Sequence, residues 1–326
     1  MPKIIFYAFI ISAIILNSAV FVCGQKTRPP GLMAPPSAEE IEHQQALQVL
    51  VDKIAGDIIK KYGAKGFKAE NLAITLVDTR DAQKLRVGSF NGQEKIYPAS
   101  VVKMFYLAAA HRWLQDGKLK DSPELRRGMK DMIVDSSNDA THFIVDVLSG
   151  VSSGGELSEK ELKSWAYKRN AVNRYFASLG FTGINVCQKT YCEDIYGRDK
   201  QFRGKDGVNR NMLTTFATAA LLTQIAQGKM ISATRSKEMM DLMKRDFEAK
   251  GKGDPDDQAH GFTAGALKPG MKLWSKAGWT STTRHDAAYV ETPEGLKFVL
   301  VVFTTNFANE RDIIPDIARA VLEGMK

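Results

Sequence analysis

The sequence predicts an α+β fold in which helices from both ends of the chain cover one antiparallel sheet, with an all-helical subdomain inserted between them. Three observations support this prediction. A helical pattern opens the folded part, strand patterns occur only toward the two ends, and helical periodicity fills nearly everything between about residues 100 and 245. The chain has 326 residues, 44% hydrophobic and 25% charged, which suits a globular core and argues against disorder.

The folded part is predicted to begin with a long helix. Residues Ser37 to Glu40 have the spacing of a capping box, and apolar residues then recur at helical intervals until the pattern ends near Gly63. Strand patterns follow at residues 72–78 and 85–90, and Asn91-Gly92 gives a turn signal after the second strand. We therefore expect one helix and two strands in this part of the chain.

A helical block and three further strands complete the prediction. Helical patterns cover residues 101–114, 123–134, 140–148, 159–179 and 214–226 and continue to about 244, whereas strand patterns return at 273–277, 285–291 and 297–305 before a last helix at about 313–323. These patterns define a domain over residues 37–326, in which a helical subdomain of about residues 100–245 is inserted into an α/β lobe of residues 37–99 and 246–326. Clefts between two such lobes are common binding sites.

The N-terminal segment has the features of an export signal. Lys3 precedes an apolar run that reaches Val22, and small residues follow, so residues 1–24 are predicted to be a secretory signal peptide. The proline-rich residues 25–36 predict a tether, and we expect a periplasmic or secreted protein. A lipid anchor on Cys23 is disfavoured because Val22 is bulky. An uncleaved membrane anchor is the other alternative, since the run approaches the roughly 20 residues that span a bilayer.

Charge and cysteine content narrow the range of partners. The formal net charge of +8 and pI of about 9.2 fit contact with anionic material such as cell-wall polymer or small carboxylates. Lysine and arginine are scattered, so nucleic acid is not a predicted partner, and we expect a monomer without stable membrane insertion once the signal is removed.

Cys187 and Cys192 either close a small loop or remain free thiols. They lack the extra ligands of a zinc site, so no metal or cofactor is expected.

The residues Tyr97-Pro98-Ala99-Ser100-Val101-Val102-Lys103 place a nucleophile beside a base. Three helical steps of about 100° bring Lys103 onto the same face as Ser100, and an adjacent basic group is the usual way to activate a serine hydroxyl. Because Pro98 suits a helix start, Ser100 is predicted in the first turn, where unpaired N–H groups favour developing negative charge. The alternative is that Ser100 is only a helix cap.

Two later motifs strengthen the catalytic interpretation. Asp135-Ser136-Ser137-Asn138-Asp139-Ala140 interrupts the helical block and supplies a hydroxyl and an amide from one turn. Trp274-Ser275-Lys276-Ala277-Gly278-Trp279 places a lysine on a terminal strand, followed by a glycine that we expect to let substrate backbone approach closely. With these three motifs in this order, residues 40–326 resemble the penicillin-recognising serine enzymes, and class A β-lactamases most closely.

This resemblance implies a β-lactamase-like fold and a role for each motif residue. Ser100 would attack the carbonyl and become acylated, with Lys103 as base or proton relay, while Ser136 would pass a proton to the departing nitrogen. The substrate would be held by Asn138 at its amide and by Lys276 at its carboxylate, with Lys276 also tuning Ser136. The oxyanion would lie between the backbone N–H groups of Ser100 and Trp279.

The chain also departs from the family pattern. Ala277 stands where the family has Thr or Ser, and the missing hydroxyl could be replaced by Thr280, Ser281 or Arg284. Ser137 replaces the central Asp of the second motif, and the segment between Ser100 and Ser136 is shorter than usual.

The family's deacylating glutamate has no clear counterpart, because the string Glu-x-x-Leu-Asn is missing from this sequence. Glu193 is the candidate, with Asp194 behind it, and the alternative is a solvated acidic pair in a charged loop. His111, His285, Trp113 and Trp165 are interpreted as packing residues.

The leading functional hypothesis is an exported serine hydrolase that hydrolyses β-lactam amide bonds through an acyl-Ser100 intermediate. One alternative is a penicillin-binding D-alanyl-D-alanine peptidase, or a broader amidase or esterase, with the same nucleophile. A non-catalytic wall-binding domain is the second alternative, and it would form no covalent adduct on Ser100.

Overall fold

The computed structural model describes residues 38–191, 193–249 and 256–325, with side chains from residue 44 onward. The predicted signal peptide, the tether, the capping residue Ser37, the alternative lipid anchor at Cys23 and Cys192 all lie outside the described residues.

Six strands form one antiparallel sheet in the described part of the chain. They are β1 (Leu72–Asp78), β2 (Arg86–Phe90), β3 (Lys244–Arg245), β4 (Lys272–Trp279), β5 (Thr283–Glu291) and β6 (Lys297–Thr305). Their spatial order is β2-β1-β6-β5-β4-β3, with every neighbouring pair antiparallel. The first and last parts of the chain therefore meet at the β1–β6 pair, as the prediction of one sheet built from both ends requires.

The helices follow the predicted order. They are α1 (Ala38–Tyr62), α2 (Lys103–Gln115), α3 (Pro123–Ile133), α4 (Asn138–Ser149), α5 (Glu159–Arg169), α6 (Ala171–Ser178), α7 (Gly197–Arg203), α8 (Thr215–Ala226), α9 (Ala233–Met243) and α10 (Ile313–Gly324). Among these described helices, none combines the length and apolar character needed to cross a bilayer. The predicted α+β fold is confirmed.

The sheet is buried on both faces, and β6 shows why its sequence is continuously apolar. Phe298, Leu300 and Val302 pack into the cluster that contains α1 and α10. Val299, Val301 and Phe303 point to the opposite face, into the cluster of the helical subdomain. Side chains alternate between the faces of a strand, so a strand covered on both sides needs apolar residues at every position.

Helix α2 is the centre of the helical subdomain, because every residue from Lys103 to His111 is buried. Phe105 packs edge-on against Phe176, with ring centroids 4.9 Å apart. Full burial explains why this helix is apolar around its whole circumference.

Three local features differ from the sequence prediction. The predicted helix at 159–179 is two helices, α5 and α6, which meet at Asn170. The Asn170 side chain donates to the carbonyl of Ala166 at 3.0 Å, the kind of local bond by which asparagine competes with helix continuation. Helix α7 and strand β3 were not predicted, since both are short and polar.

Candidate active site

Ser100 lies in a single 3₁₀ turn, Ala99–Val102, that leads directly into α2. The sequence predicted this serine in the first turn of an α-helix, and the regular α-helix instead begins at Lys103. Ala99, immediately before the serine, has a φ of +45°. Left-handed backbone in a non-glycine residue is strained and concentrates at functional sites, so the turn is held in this shape by its surroundings.

One of those restraints is His285 on β5. Its Nε2 donates to the carbonyl of Tyr97 at 2.9 Å, and its Nδ1 accepts from the backbone N–H of Thr304 at 3.1 Å. Burial lowers the pKa of His285 to about 4, so the ring is neutral near pH 7 and keeps this donor–acceptor arrangement. His285 therefore ties the residues before Ser100 to two strands of the sheet.

A second restraint is the close contact between Gly278 on β4 and the Ser100 turn. A Cβ at position 278 would lie 2.6 Å from the backbone nitrogen of Ser100 and 2.8 Å from the carbonyl oxygen of Pro98. The sequence suggested that this glycine admits substrate backbone. In the structure it admits the protein's own Ser100 turn, which brings the Ser100 end of the turn against the Gly278–Trp279 end of the strand.

Lys103 links the first and second motifs. Its side chain is fully buried, and its Nζ donates to Asn138 Oδ1 at 2.8 Å, to Ser136 Oγ at 3.3 Å and also to the carbonyl of Ser136. The helix therefore presents its first residue to the turn that contains Ser136 and Asn138.

The turn of the second motif has its own strained residue and its own cap. Ser136 has a φ of +55°. Ser137, which replaces the family's Asp, caps α4 by accepting from the backbone N–H of Ala140 at 3.1 Å. Asn138 is the first residue of that helix, so the cap fixes its position opposite Lys103.

Lys276 connects the third motif to the same hydroxyl. Its Nζ donates to Ser136 Oγ at 3.0 Å, to Gln258 Oε1 at 2.5 Å and to the carbonyl of Ala277 at 2.8 Å. Two lysines from different elements thus converge on Ser136 Oγ. Both lone pairs of this oxygen accept, which leaves the hydroxyl proton available to an incoming group.

Burial and neighbouring positive charges lower the pKa of Lys276. Burial is the largest cause, followed by the nearby charges of Lys103 and Arg245, and the carboxylate of Asp286 opposes the shift. Burial also raises the pKa of Asp286 and lowers that of Arg245 to about 10. Lys276, Asp286 and Arg245 therefore form a buried cluster in which each charge is costly.

Glu193 occupies a different place from this cluster. Its carboxylate is exposed and lines a cavity of about 200 Å³ beside Tyr97, together with Gln188, Tyr191, Arg203 and Arg210 among others. Within the described chain, the walls of this cavity do not include Ser100, Lys103 or Ser136. The neighbouring Asp194 is also exposed, and its Oδ1 accepts from the backbone N–H of Ile195 at 2.7 Å.

Cys187 is a buried free thiol whose pKa is raised to about 12 by burial. Its Sγ lies 3.0 Å from Asn185 Oδ1.

The residues proposed to compensate for Ala277 are placed differently from one another. The guanidinium of Arg284 is buried, donates to Asp256 Oδ1 at 2.6 Å and stacks over the ring of Phe262. Thr280 Oγ1 lies 3.0 Å from Thr283 Oγ1, and Ser281 is exposed.

Ala277 itself packs into the core cluster on the α1 and α10 side of the sheet. Trp279 is partly exposed and packs against Phe262 with centroids 5.6 Å apart.

Two site residues had no signal in the sequence. Gln258 contacts Lys276 from a segment without any motif, and His285 looked like an ordinary strand histidine. Both act through tertiary contacts, 18 and 188 residues away from their partners Lys276 and Tyr97.

Across residues 38–191, 193–249 and 256–325, no group of three or more His, Cys, Asp or Glu side chains is arranged to hold a metal ion.

A nucleophile-bearing turn, a buried lysine pair and a serine–asparagine turn on this α+β fold define a serine hydrolase of the β-lactamase-like class. A sequence model of the beta-lactamase enzyme family matches residues 52–325, which is most of the chain. The protein therefore belongs to the beta-lactamase enzyme family. A search of curated proteins returned no match.

Solved structures with the same fold include enzymes of class A. A β-lactamase from Sphaerobacter thermophilus has a TM-score of 0.60 and 18% identity, over 82% of this chain and 95% of that one. A class A representative from Bacteroides cellulosilyticus has a TM-score of 0.60 and 17% identity, over 84% and 97%. A mutant of PBP-A, solved as an acyl-enzyme with penicillin G, has a TM-score of 0.58 and 17% identity, over 84% and 96%. At these identities the likeness establishes a shared fold.

Proposed function

We propose that the protein is an exported serine hydrolase that opens β-lactam amide bonds through an acyl-Ser100 intermediate. The observation that carries this proposal is the convergence of two lysines on the Ser136 hydroxyl: Lys103, directly after the turn that bears Ser100, at 3.3 Å, and Lys276 at 3.0 Å. A hydroxyl that accepts from two lysines and keeps its own proton is suited to protonate a leaving nitrogen.

Acylation follows from this arrangement. Lys103 must first lose one proton to act as a base. Ser100 Oγ then attacks the lactam carbonyl and gives its proton to Lys103, while backbone N–H groups at Ser100 and Trp279 stabilise the oxyanion. The C–N bond then breaks, and the nitrogen takes the proton of Ser136. Ser136 regains a proton from a lysine that already contacts its oxygen, so the proton taken by Lys103 has a direct route back.

Deacylation requires a water molecule that loses a proton as it attacks the ester. We propose Glu193 as the general base for this step, since it is the acidic side chain in the cavity beside Tyr97. Because the described walls of this cavity do not include Ser100, the proposed role requires the loop to bring the carboxylate toward the acyl group during the reaction.

The test is turnover of a chromogenic cephalosporin by the wild type, by Glu193→Gln and by the matched variant Asp194→Asn. We expect wild-type turnover, a Glu193→Gln variant slowed about 10²-fold or more with accumulated acyl-enzyme, and an Asp194→Asn variant close to wild type. Equal turnover in all three proteins would exclude Glu193 as the base. Slowing by Asp194→Asn alone would transfer the role to Asp194.

A penicillin-binding peptidase is the second candidate, and the placement of Glu193 favours it. The carboxylate lines a cavity whose described walls do not include Ser100, so an acyl-enzyme without a poised base would be long-lived. The PBP-A relative was itself captured as an acyl-enzyme with penicillin G. This candidate predicts stoichiometric labelling of Ser100 with negligible wild-type turnover, and hydrolysis of D-alanyl-D-alanine peptides instead.

Export is part of the proposal and rests on the sequence of residues 1–24. N-terminal sequencing of the protein expressed in a bacterial host is expected to give Gln25 in the periplasmic or secreted fraction. Retention of Met1 in the cytosolic fraction would contradict it.

A further inference from the structure

The buried amine of Lys276 has no hydrogen-bond donor left over. It makes bonds to Ser136 Oγ, Gln258 Oε1 and the Ala277 carbonyl, and the side chain is fully buried. An ammonium has three N–H donors, and three acceptors already use them. A neutral amine would have only two donors and no charge with which to attract an anion. In either protonation state, a substrate carboxylate can bind this lysine only by displacing an existing acceptor.

Gln258 is the acceptor that completes this set, and it is held firmly. Its Oε1 also accepts from the backbone N–H of Ala277 at 3.1 Å, and its Nε2 donates to the carbonyl of Val134 at 3.1 Å. Gln258 is 7% exposed, so breaking any of these hydrogen bonds would leave a buried polar group without a partner. The amide therefore spans from β4 to the end of α3, two residues before Ser136.

The segment around Gln258 is anchored on both sides. Asp256 pairs with Arg284 at 2.6 Å and with Arg311 at 3.0 Å. Asp257 pairs with His260 at 2.6 Å. These contacts fix the backbone from which Gln258 reaches Lys276. The position of the Gln258 amide is therefore set by the surrounding structure.

The other expected carboxylate contacts are also occupied or missing. The guanidinium of Arg284 is bound to Asp256, and position 277 offers a core methyl group where the family has a hydroxyl. We propose that Gln258 holds Lys276 for Ser136 and thereby removes it from substrate binding, so that this protein acylates Ser100 with little dependence on a free carboxylate in the substrate. This inference rests on the proposed acylation of Ser100.

The test compares one penicillin as the free acid and as its methyl ester, with the rate of covalent labelling followed by intact mass. A charge-assisted hydrogen bond to the carboxylate would make the acid about tenfold or more faster. We expect wild-type rates within about threefold of each other. A wild-type preference of tenfold or more for the acid would overturn the proposal.

Substitution of Gln258 supplies the second measurement. Gln258→Ala releases one N–H of Lys276, and we expect the acid-to-ester ratio to rise to about tenfold. The matched variant Gln201→Ala removes a glutamine that likewise bonds backbone groups, the N–H and the carbonyl of Leu157, and should keep the wild-type ratio. An unchanged ratio in Gln258→Ala, or an equal rise in Gln201→Ala, would contradict the role of Gln258.

The same experiment distinguishes failure of the proposed acylation from failure of the proposal about carboxylate recognition. If neither compound labels Ser100 in the wild type, acylation itself fails, whereas labelling by both at similar rates supports acylation and the specificity proposal together. If Gln258→Ala does not fold, the wild-type ratio still decides whether carboxylate recognition matters.

Discussion

Ser136 shows how single residues acquire a chemical role from their position. A serine in a turn is ordinary, but here its backbone is left-handed and its oxygen accepts from two buried lysines. Each lysine places a positive charge next to the other, and the resulting repulsion is one cause of the lowered pKa of Lys276. Two positive charges side by side are therefore costly in this pair.

Gly278 gives a residue-level prediction. Gly278→Ala would force a Cβ to 2.6 Å from the backbone nitrogen of Ser100, so the turn must shift. We expect Ser100 acylation to fall about 10²-fold, with a loss of about 1–3 kcal/mol in the free energy of unfolding. Acylation rates are measured by intact mass and stability by urea unfolding.

The control is Gly56→Ala in α1, where no atom lies within 4 Å of the new Cβ. Removing a glycine from a helix interior should stabilise the fold by about 0.5–1 kcal/mol and leave acylation unchanged. Wild-type acylation in Gly278→Ala would show that the close contact does not position Ser100.

Sequence patterns located the candidate site residues but not the contacts that hold them. Ser100, Lys103, Ser136, Asn138 and Lys276 stand in short motifs, and the structure brings these motifs together. Gln258 and His285 have no such local pattern, because their partners lie far along the chain. The 3₁₀ geometry at Ser100 was missed for a similar reason, since Gly278 and His285 shape that turn from β4 and β5.

Strands β4 and β5 hold the Ser100 turn in place. His285 on β5 reaches Tyr97 before the turn and Thr304 on β6, while Gly278 on β4 abuts it from the side. The helix boundaries were predictable to within a few residues because apolar periodicity and caps are local. The break at Asn170 coincides with a side-chain bond to Ala166 and was not predictable from periodicity.

His285 also predicts a pH dependence of stability. Its pKa is about 4 in the folded protein and about 6.5 when unfolded, so only the unfolded state binds a proton between these values. The contribution of neutral His285 to the free energy of unfolding is complete above pH 6.5. It declines by about 3 kcal/mol as the pH falls to 4. We expect the free energy of unfolding, measured in urea, to decrease over this window.

The matched comparison uses the two buried histidines. His111 has a pKa of about 4, chiefly through burial, and its Nδ1 lies 3.2 Å from Glu238. His285→Gln and His111→Gln should each remove about half of the pH dependence that the pair supplies. If His285→Gln keeps the full slope between pH 6.5 and 4, the ring is not neutral in the folded state.

At the scale of the whole molecule, the site joins two lobes. Ser100 and Lys103 lie at the start of α2. Ser136 and Asn138 lie at the start of α4, and Lys276 lies on strand β4. The single sheet was predictable, because strand patterns near both ends of the chain must pair with one another. The exposed placement of Glu193 was not, since a loop without periodicity gives no direction to its side chains.

The measurement that tests this account most directly is intact mass after brief exposure of the wild type and Ser100→Ala to a penicillin. We predict an increase equal to the whole penicillin in the wild type, located on Ser100 by peptide mapping, because ring opening retains all atoms of the lactam. Ser100→Ala should remain unlabelled. A wild type without adduct and without turnover, or a Ser100→Ala variant labelled as fast as the wild type, would contradict the assignment of Ser100 as the nucleophile.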